Sequence, residues 1–162
     1  MAESLPPKER VRIPRQEMPE QDPRERARNF REVNLGLDVI VAEKEAQRCL
    51  SCTDPKCMHG CPIGVKVREV VELVRDGEYL KAAAKLREDN IMPAVTGRVC
   101  PQENQCEGAC ILGKRFAPLA IGHIERFVAD YERRTGQVGL PERAPPSGKK
   151  IAVVGSGPAG LS

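Results

Sequence analysis

Seven cysteines gathered into two short segments constrain this chain more than any other feature. The first segment reads Cys49-x2-Cys52-x4-Cys57-x3-Cys61-Pro62 and the second Cys100-Pro101-x4-Cys106-x3-Cys110. No charged-then-apolar leader opens the sequence, so a cytoplasmic address is expected, where thiols stay reduced. Crowded cysteines in that setting are metal ligands rather than a disulfide framework. Thiolates are the soft donors that iron–sulfur clusters require, and short spacings let one loop take several corners of a cube while its amides point at the sulfides. Two 4Fe-4S clusters are therefore the expected cofactors.

The spacing also divides the ligands. The bacterial ferredoxin run likewise ends in Cys-Pro, and its last cysteine ligates the other cluster of the pair. By that analogy Cys61 leaves its own segment, and a reciprocal exchange assigns Cys49, Cys52, Cys57 and Cys110 to cluster 1 and Cys61, Cys100 and Cys106 to cluster 2. Two cubes take two times four, or eight, ligands, whereas the chain supplies seven cysteines. Either a non-cysteine residue completes the set or one iron stays open. Ile121, Ile124 and Val128 define an apolar helix face at i, i+3 and i+7, and Glu125 stands at i+4 on that face. A carboxylate there needs a cation beside it, because burying an unpaired charge is costly. Glu125 is the preferred eighth ligand. Glu103 and Glu107 in the second segment and His59 in the first are its rivals, each otherwise expected to be an exposed loop residue. His123 lies off the apolar face and is expected on the solvated surface.

Zinc is the alternative for the whole constellation. The seven cysteines with His59 could build two tetrahedral sites, making the chain a zinc-stabilised helical interaction module. Zinc motifs come as separated Cys-x2-Cys pairs, however, and here three and four cysteines crowd each segment.

Around the cysteines the chain reads as mainly α. Residues 1–22 carry Pro6, Pro7, Pro14 and Pro19 and read as an extended N-terminal arm, either free or laid on a partner. Residues 23–136 read as a helical di-cluster domain. Within it Asp22-Pro23 starts a helix running to near Val33, and a second runs from Asp38 to about Arg48, delivering Cys49 at its end. Val67, Val70, Val71 and Val74 mark an amphipathic helix stopped by Gly77, and Tyr79, Ala82, Ala83 and Leu86 mark a second, as in a helical hairpin. Asn90 to Val99 reads as irregular, and a closing helix runs from about Leu119 to Arg134. Residues 137–148 form a Pro/Gly linker. Residues 149–162 then change character, with a β-branched strand followed by the G-x-G-x-x-G turn of Gly155, Gly157 and Gly160, as at the start of a Rossmann-type dinucleotide-binding domain. So short a stretch cannot build the parallel sheet such a domain needs, so the chain is expected to be a fragment of a longer flavin or nicotinamide enzyme. Its strand would have no sheet to join.

Charge and aromatic content exclude other classes. The 26 basic and 23 acidic residues interleave, which makes solvated helix faces rather than the basic stripe of a nucleic-acid binder. No apolar run approaches the roughly 18 residues of a membrane span. With three Phe, two Tyr and no Trp, the core is modest, and bound metal is expected to help hold it.

Cys49-Leu50-Ser51-Cys52, Cys57 to Pro62, Thr96-Gly97-Arg98-Val99-Cys100-Pro101, Cys106-Glu107-Gly108-Ala109-Cys110 and the Gly155–Gly160 turn together resemble a known region. It is the N-terminal region of the small subunit of NADPH-dependent glutamate synthase. The large subunit of NADH-dependent ferredoxin:NADP oxidoreductase and dihydropyrimidine dehydrogenase share it. The resemblance runs from about Pro23 to Ser162. It implies a helical domain with two 4Fe-4S clusters, followed by domains for FAD and for NADPH or NADH. It also implies that electrons taken from the nicotinamide by FAD pass through the clusters to a redox partner, such as an FMN-containing large subunit. The family carries a Gln or Glu ligand on the closing helix, in the segment matching Ile121 to Glu125. The arm and Asn29 to Gly36 look closest to the bifurcating or archaeal-type branch. No bond-making chemistry is assigned to this stretch, so the fragment by itself is expected to be non-catalytic.

Overall fold

A computed structural model of the chain describes residues 5–139 and 144–161. Residues 1–4 of the arm, 140–143 of the linker and Ser162 lie outside the described residues. The helices, in chain order, are α1 (Pro7–Arg10), α2 (Pro23–Arg26), α3 (Val39–Ala46), α4 (Lys56–His59), α5 (Val67–Arg75), α6 (Tyr79–Arg87), α7 (Pro93–Val99), α8 (Ile121–Thr135) and α9 (Pro158–Leu161). Two 3-10 turns, Gln102–Asn104 and Ile111–Lys114, occupy the second cysteine segment. Among the described residues the only β pairing is an isolated antiparallel bridge between Glu20 and Asn34.

The core forms where apolar residues recur at helical spacing. Val67, Val70, Val71 and Val74 of α5 are buried against Ala82, Ala83 and Leu86 of α6. Each well-buried aliphatic side chain of this size contributes about 1.5–3 kcal/mol of transfer free energy. The hairpin between them turns at Gly77, whose φ of +77° suits a residue without a Cβ. Helix α8 lies on the pair through Ile121, Ile124, Phe127 and Val128, all buried. Three of the five aromatics meet at one end of this layer, where Tyr79 meets Phe127 edge-on at 5.5 Å between ring centres and Tyr131 at 4.8 Å. This packing leaves the start of α5 and the start of α8 facing the cysteine loops.

Four segments depart from the sequence expectations, three of them in the arm and the helical body. Helix α2 stops at Arg26 instead of continuing to Val33. Asp22 caps it by accepting from the amides of Arg24 and Glu25. Asn29 then binds the Glu25 carbonyl and accepts from the Arg31 amide. Such side-chain bonds offer the backbone an alternative to the helix. Conversely, 93–99 is helical rather than irregular. Pro93 sits in the first turn, where its missing N–H costs nothing. Gly97 is a contact point, since a Cβ there would stand 2.8 Å from the Arg126 amide nitrogen and 2.9 Å from its Cα. Finally, the arm lies on the chain's own helical body. Arg10 is buried and donates to the Cys49 carbonyl at 2.6 Å, and Arg15 donates to the Pro118 carbonyl at 2.7 Å.

Residues 151–154 adopt no strand, and Ile151, Val153 and Val154 are exposed. The glycine turn is nevertheless formed. Gly155 takes a φ of +118°, and a Cβ on Gly160 would collide with the Gly155 carbonyl. Gly157 has open space around it.

Candidate metal centre

The fold places six of the seven cysteines in two neighbouring cavities. Cys49, Cys52, Cys57 and Cys110 line the first, together with Lys56, Val67, Arg68 and Ile121. Cys49 arrives there because α3 ends in a tightening turn, with its amide bonded to the Ala46 carbonyl at 3.1 Å. Ser51, between Cys49 and Cys52, has a positive φ of 52°, a sparsely populated conformation of the kind that clusters at ligand-holding loops. Cys57 lies on α4, and Cys110 reaches over from the second segment just before the Ile111–Lys114 turn.

Cys61, Cys106 and Glu125 line the second cavity, whose walls are Val65, Val67, Val70, Val71, Leu86, Ile121 and Ile124. Cys100 does not line this cavity but a separate cleft with Arg98, Gln102, His123 and Arg126. Burial, with the Glu125 and Cys61 charges adding to it, pushes the Cys100 thiol up. Val67 and Ile121 line both cavities, so the first residues of α5 and α8 form the wall between them.

All seven cysteines are free thiols. Burial pushes the Cys49 thiol up to about 11 and the Cys57 and Cys106 thiols up to about 12. Thiols so placed ionise only when a cation takes up their charge, which is the condition of a metal ligand. The donor chemistry of the first cavity, four thiols from two loops with apolar walls, fits a 4Fe-4S cube.

Glu125 is fixed through one of its oxygens. Its Oε1 accepts from the Thr96 hydroxyl at 2.5 Å and from Asn90 Nδ2 at 3.0 Å. Among the described residues no donor is bonded to Oε2. Burial raises its pKa above the usual carboxylate value, with the two hydrogen bonds pulling the other way.

The rivals go elsewhere. His59 is exposed, with Nε2 2.9 Å from Asp54 Oδ1, and Glu103 is exposed. Glu107, expected in an exposed loop, is buried instead. One of its oxygens meets Arg15 at 2.7 Å and the other accepts from the Gly122 amide at 3.3 Å, so neither is left for a metal. His123 is not on the solvated surface either. It is half-buried with Nδ1 buried and unpartnered, and burial lowers its pKa. The arm and the second cysteine segment, which cover that side of α8, account for both departures.

Sequence reasoning missed the groups that hold the cysteine loops in place. Glu45 and Arg48, directly before Cys49, form a buried pair at 2.5 Å with side chains 0% and 3% exposed. Glu45 also accepts from the amides of Gln16 and Ala120, and Arg48 donates to the carbonyls of Ile13, Ala117 and Pro118. This pair ties α3, the arm and the start of α8 together at the first cavity. In the sequence such charges look like a solvated face. The one available signal was Ala42, Glu45, Ala46 and Cys49 sharing a face.

Comparison with known proteins agrees with this chemistry. The family described as dihydropyrimidine dehydrogenase domain II, 4Fe-4S cluster, matches residues 26–137. The chain belongs to that family. It is 39% identical over 121 residues to the glutamate synthase [NADPH] small chain of Escherichia coli K12, covering 75% of this chain and 26% of that one. It is 38% identical over 133 residues to the NAD-dependent dihydropyrimidine dehydrogenase subunit PreT of the same organism, covering 80% and 31%. It is also 36% identical over 138 residues to the putative oxidoreductase UacF from that strain, covering 85% and 22%. The chain thus spans a third or less of the relatives it matches. It is a mainly helical 4Fe-4S domain of the type found in these oxidoreductases. The zinc module is left without support, because the family is a 4Fe-4S family. Nor, among the described residues, is any helix long and apolar enough to cross a membrane.

Proposed function

We propose that this chain is an electron-relay domain holding two 4Fe-4S clusters between a flavin and NAD(P)H module and a redox partner subunit. The observation that carries the reading is the pair of cysteine-lined cavities that share Val67 and Ile121 as lining. Bound 4Fe-4S clusters supply one-electron transfer, at potentials governed by ligand type, hydrogen bonds and exposure.

In this reading Cys49, Cys52, Cys57 and Cys110 hold cluster 1, and Cys61, Cys100, Cys106 and Glu125 hold cluster 2. Thr96 and Asn90 orient the Glu125 carboxylate through one oxygen, leaving the other for iron. The aliphatic side chains of α5 and α6 exclude water from the cluster 2 side. Residues 23–136 form the relay domain, with 1–22 as its arm and 137–148 as a linker. Residues 149–162 open a dinucleotide-binding domain, in which Gly155, Gly157 and Gly160 begin the FAD pyrophosphate turn. The relatives' names support a nicotinamide as electron source, NADPH for the glutamate synthase small chain and NAD for the dihydropyrimidine dehydrogenase subunit. An FMN-containing large subunit in the cytoplasm is the partner we assign.

The test uses the whole protein that contains this chain. It is mixed anaerobically with NADH or NADPH, and the clusters are followed by EPR after rapid freezing. Cluster reduction following flavin reduction is expected. A fully reduced flavin beside clusters that stay oxidised over many turnover times refutes the relay.

A further inference from the structure

The two cavities differ in their charge. Among the described residues that line it, cavity 2 has aliphatic side chains, thiols and one carboxylate. Arg98 and Arg126, which share a cleft with Cys100, are held in ion pairs with Glu32 and Asp130. Cavity 1 is lined by two basic residues, Lys56 and Arg68. Lys56 is 60% exposed and paired with Asp54 at 2.5 Å, so solvent and its partner cancel most of its field. Arg68 is different. It is the second residue of α5, half-buried, and among the described residues it has no ion-pair partner. Its Nη1 donates to the Cys52 carbonyl at 3.1 Å, which pins the guanidinium beside the ligand loop. Its Nε is buried and has no hydrogen-bond partner among the described residues. Native structures seldom leave a buried N–H unpaired, and an orphaned one at the wall of a binding cavity points to a missing acceptor.

We infer that Arg68 donates its Nε–H to a sulfur of cluster 1 and raises that cluster's reduction potential above that of cluster 2. The inference rests on the reading that Cys49, Cys52, Cys57 and Cys110 hold a 4Fe-4S cluster. Reduction adds one electron to a group that is already anionic, and no bond forms or breaks. A fixed guanidinium therefore favours the reduced form over the oxidised one, and a hydrogen bond to sulfur acts in the same direction. The apolar walls of cavity 2 act oppositely, since a low-dielectric site without an unpaired cation penalises added negative charge. Glu125 adds none of the compensation that Arg68 supplies. Electrons entering the domain come to rest on the α3–α4 side, at cluster 1.

The experiment is an EPR-monitored redox titration of both clusters in the whole, cluster-loaded protein, with iron and sulfide measured first. Wild type, R68M and R68K are compared. R68M is expected to cut the reduced-to-oxidised ratio of cluster 1 at fixed poise about tenfold, which is 59 mV for a one-electron couple, and to leave cluster 2 in place. R68K keeps the charge but not Nε and is expected to fall between R68M and wild type. If R68M fails to load cluster 1, R68K carries the test. A wild-type protein lacking two clusters would overturn both this inference and the relay reading. With two clusters present, an R68M that moves neither potential, or both equally, overturns only the role of Arg68. An R68K indistinguishable from wild type removes the Nε hydrogen bond and also overturns it.

Discussion

Replacing Glu45 by Gln tests how the cysteine loops are held. The side chain is 0% exposed and its two oxygens serve three donors. Oε1 accepts from Arg48 Nη1 at 2.5 Å and from the Ala120 amide at 2.7 Å, and Oε2 accepts from the Gln16 amide at 2.8 Å. An amide of the same shape must turn its NH2 toward one of these places, so at least one buried donor meets another donor. Arg48 would keep its three carbonyl acceptors but lose its carboxylate. Removing one partner of a buried ion pair costs about 3–5 kcal/mol. At about 4–8 °C per kcal/mol for a domain near 100 residues, the midpoint should fall by roughly 10 °C or more. The assay is anaerobic thermal unfolding of the cluster-loaded chain at pH 7, followed by far-UV circular dichroism. A loss below about 1 kcal/mol would mean that the pair is not the clamp described here.

Other outcomes follow from the same geometry. Gly97→Ala drives a methyl into the Arg126 backbone and should cost about 1–3 kcal/mol, with the EPR signal of cluster 2 altered and that of cluster 1 unchanged. Glu125→Ala should change the spectrum or potential of one cluster only; two unchanged clusters would show that Glu125 is not a ligand. Stripping iron with a chelator should abolish helical circular dichroism in step with metal loss, because so modest a core draws folding energy from its metal. Helicity that survives complete iron removal would contradict this.

How much could be read from the sequence depended on whether the deciding contacts were local. Cys-Pro punctuation and helical spacing are local, and of the residues they single out Cys49, Cys52, Cys57 and Cys110 line one cavity and Cys61, Cys106 and Glu125 another, while Cys100 lines a separate cleft. The valines of α5 and the alanines of α6 announced their hairpin in the same way. What stayed hidden depends on partners far along the chain. Pro93 and Gly97 look like helix breakers until α8 is placed against them. Glu45, Arg48 and Glu107 look like surface charges until the arm and residues 117–122 close over them. Asn29 ended a helix early through a side-chain bond that propensity does not weigh. Residues 151–154 show the converse, since their β-branched pattern gains nothing without neighbouring strands.

The central claim is that the seven cysteines and Glu125 hold two 4Fe-4S clusters. Iron, zinc and acid-labile sulfide, measured per chain on protein purified without oxygen, test it most directly. About eight irons and about eight sulfides are expected. One or two zinc ions with no sulfide would contradict it.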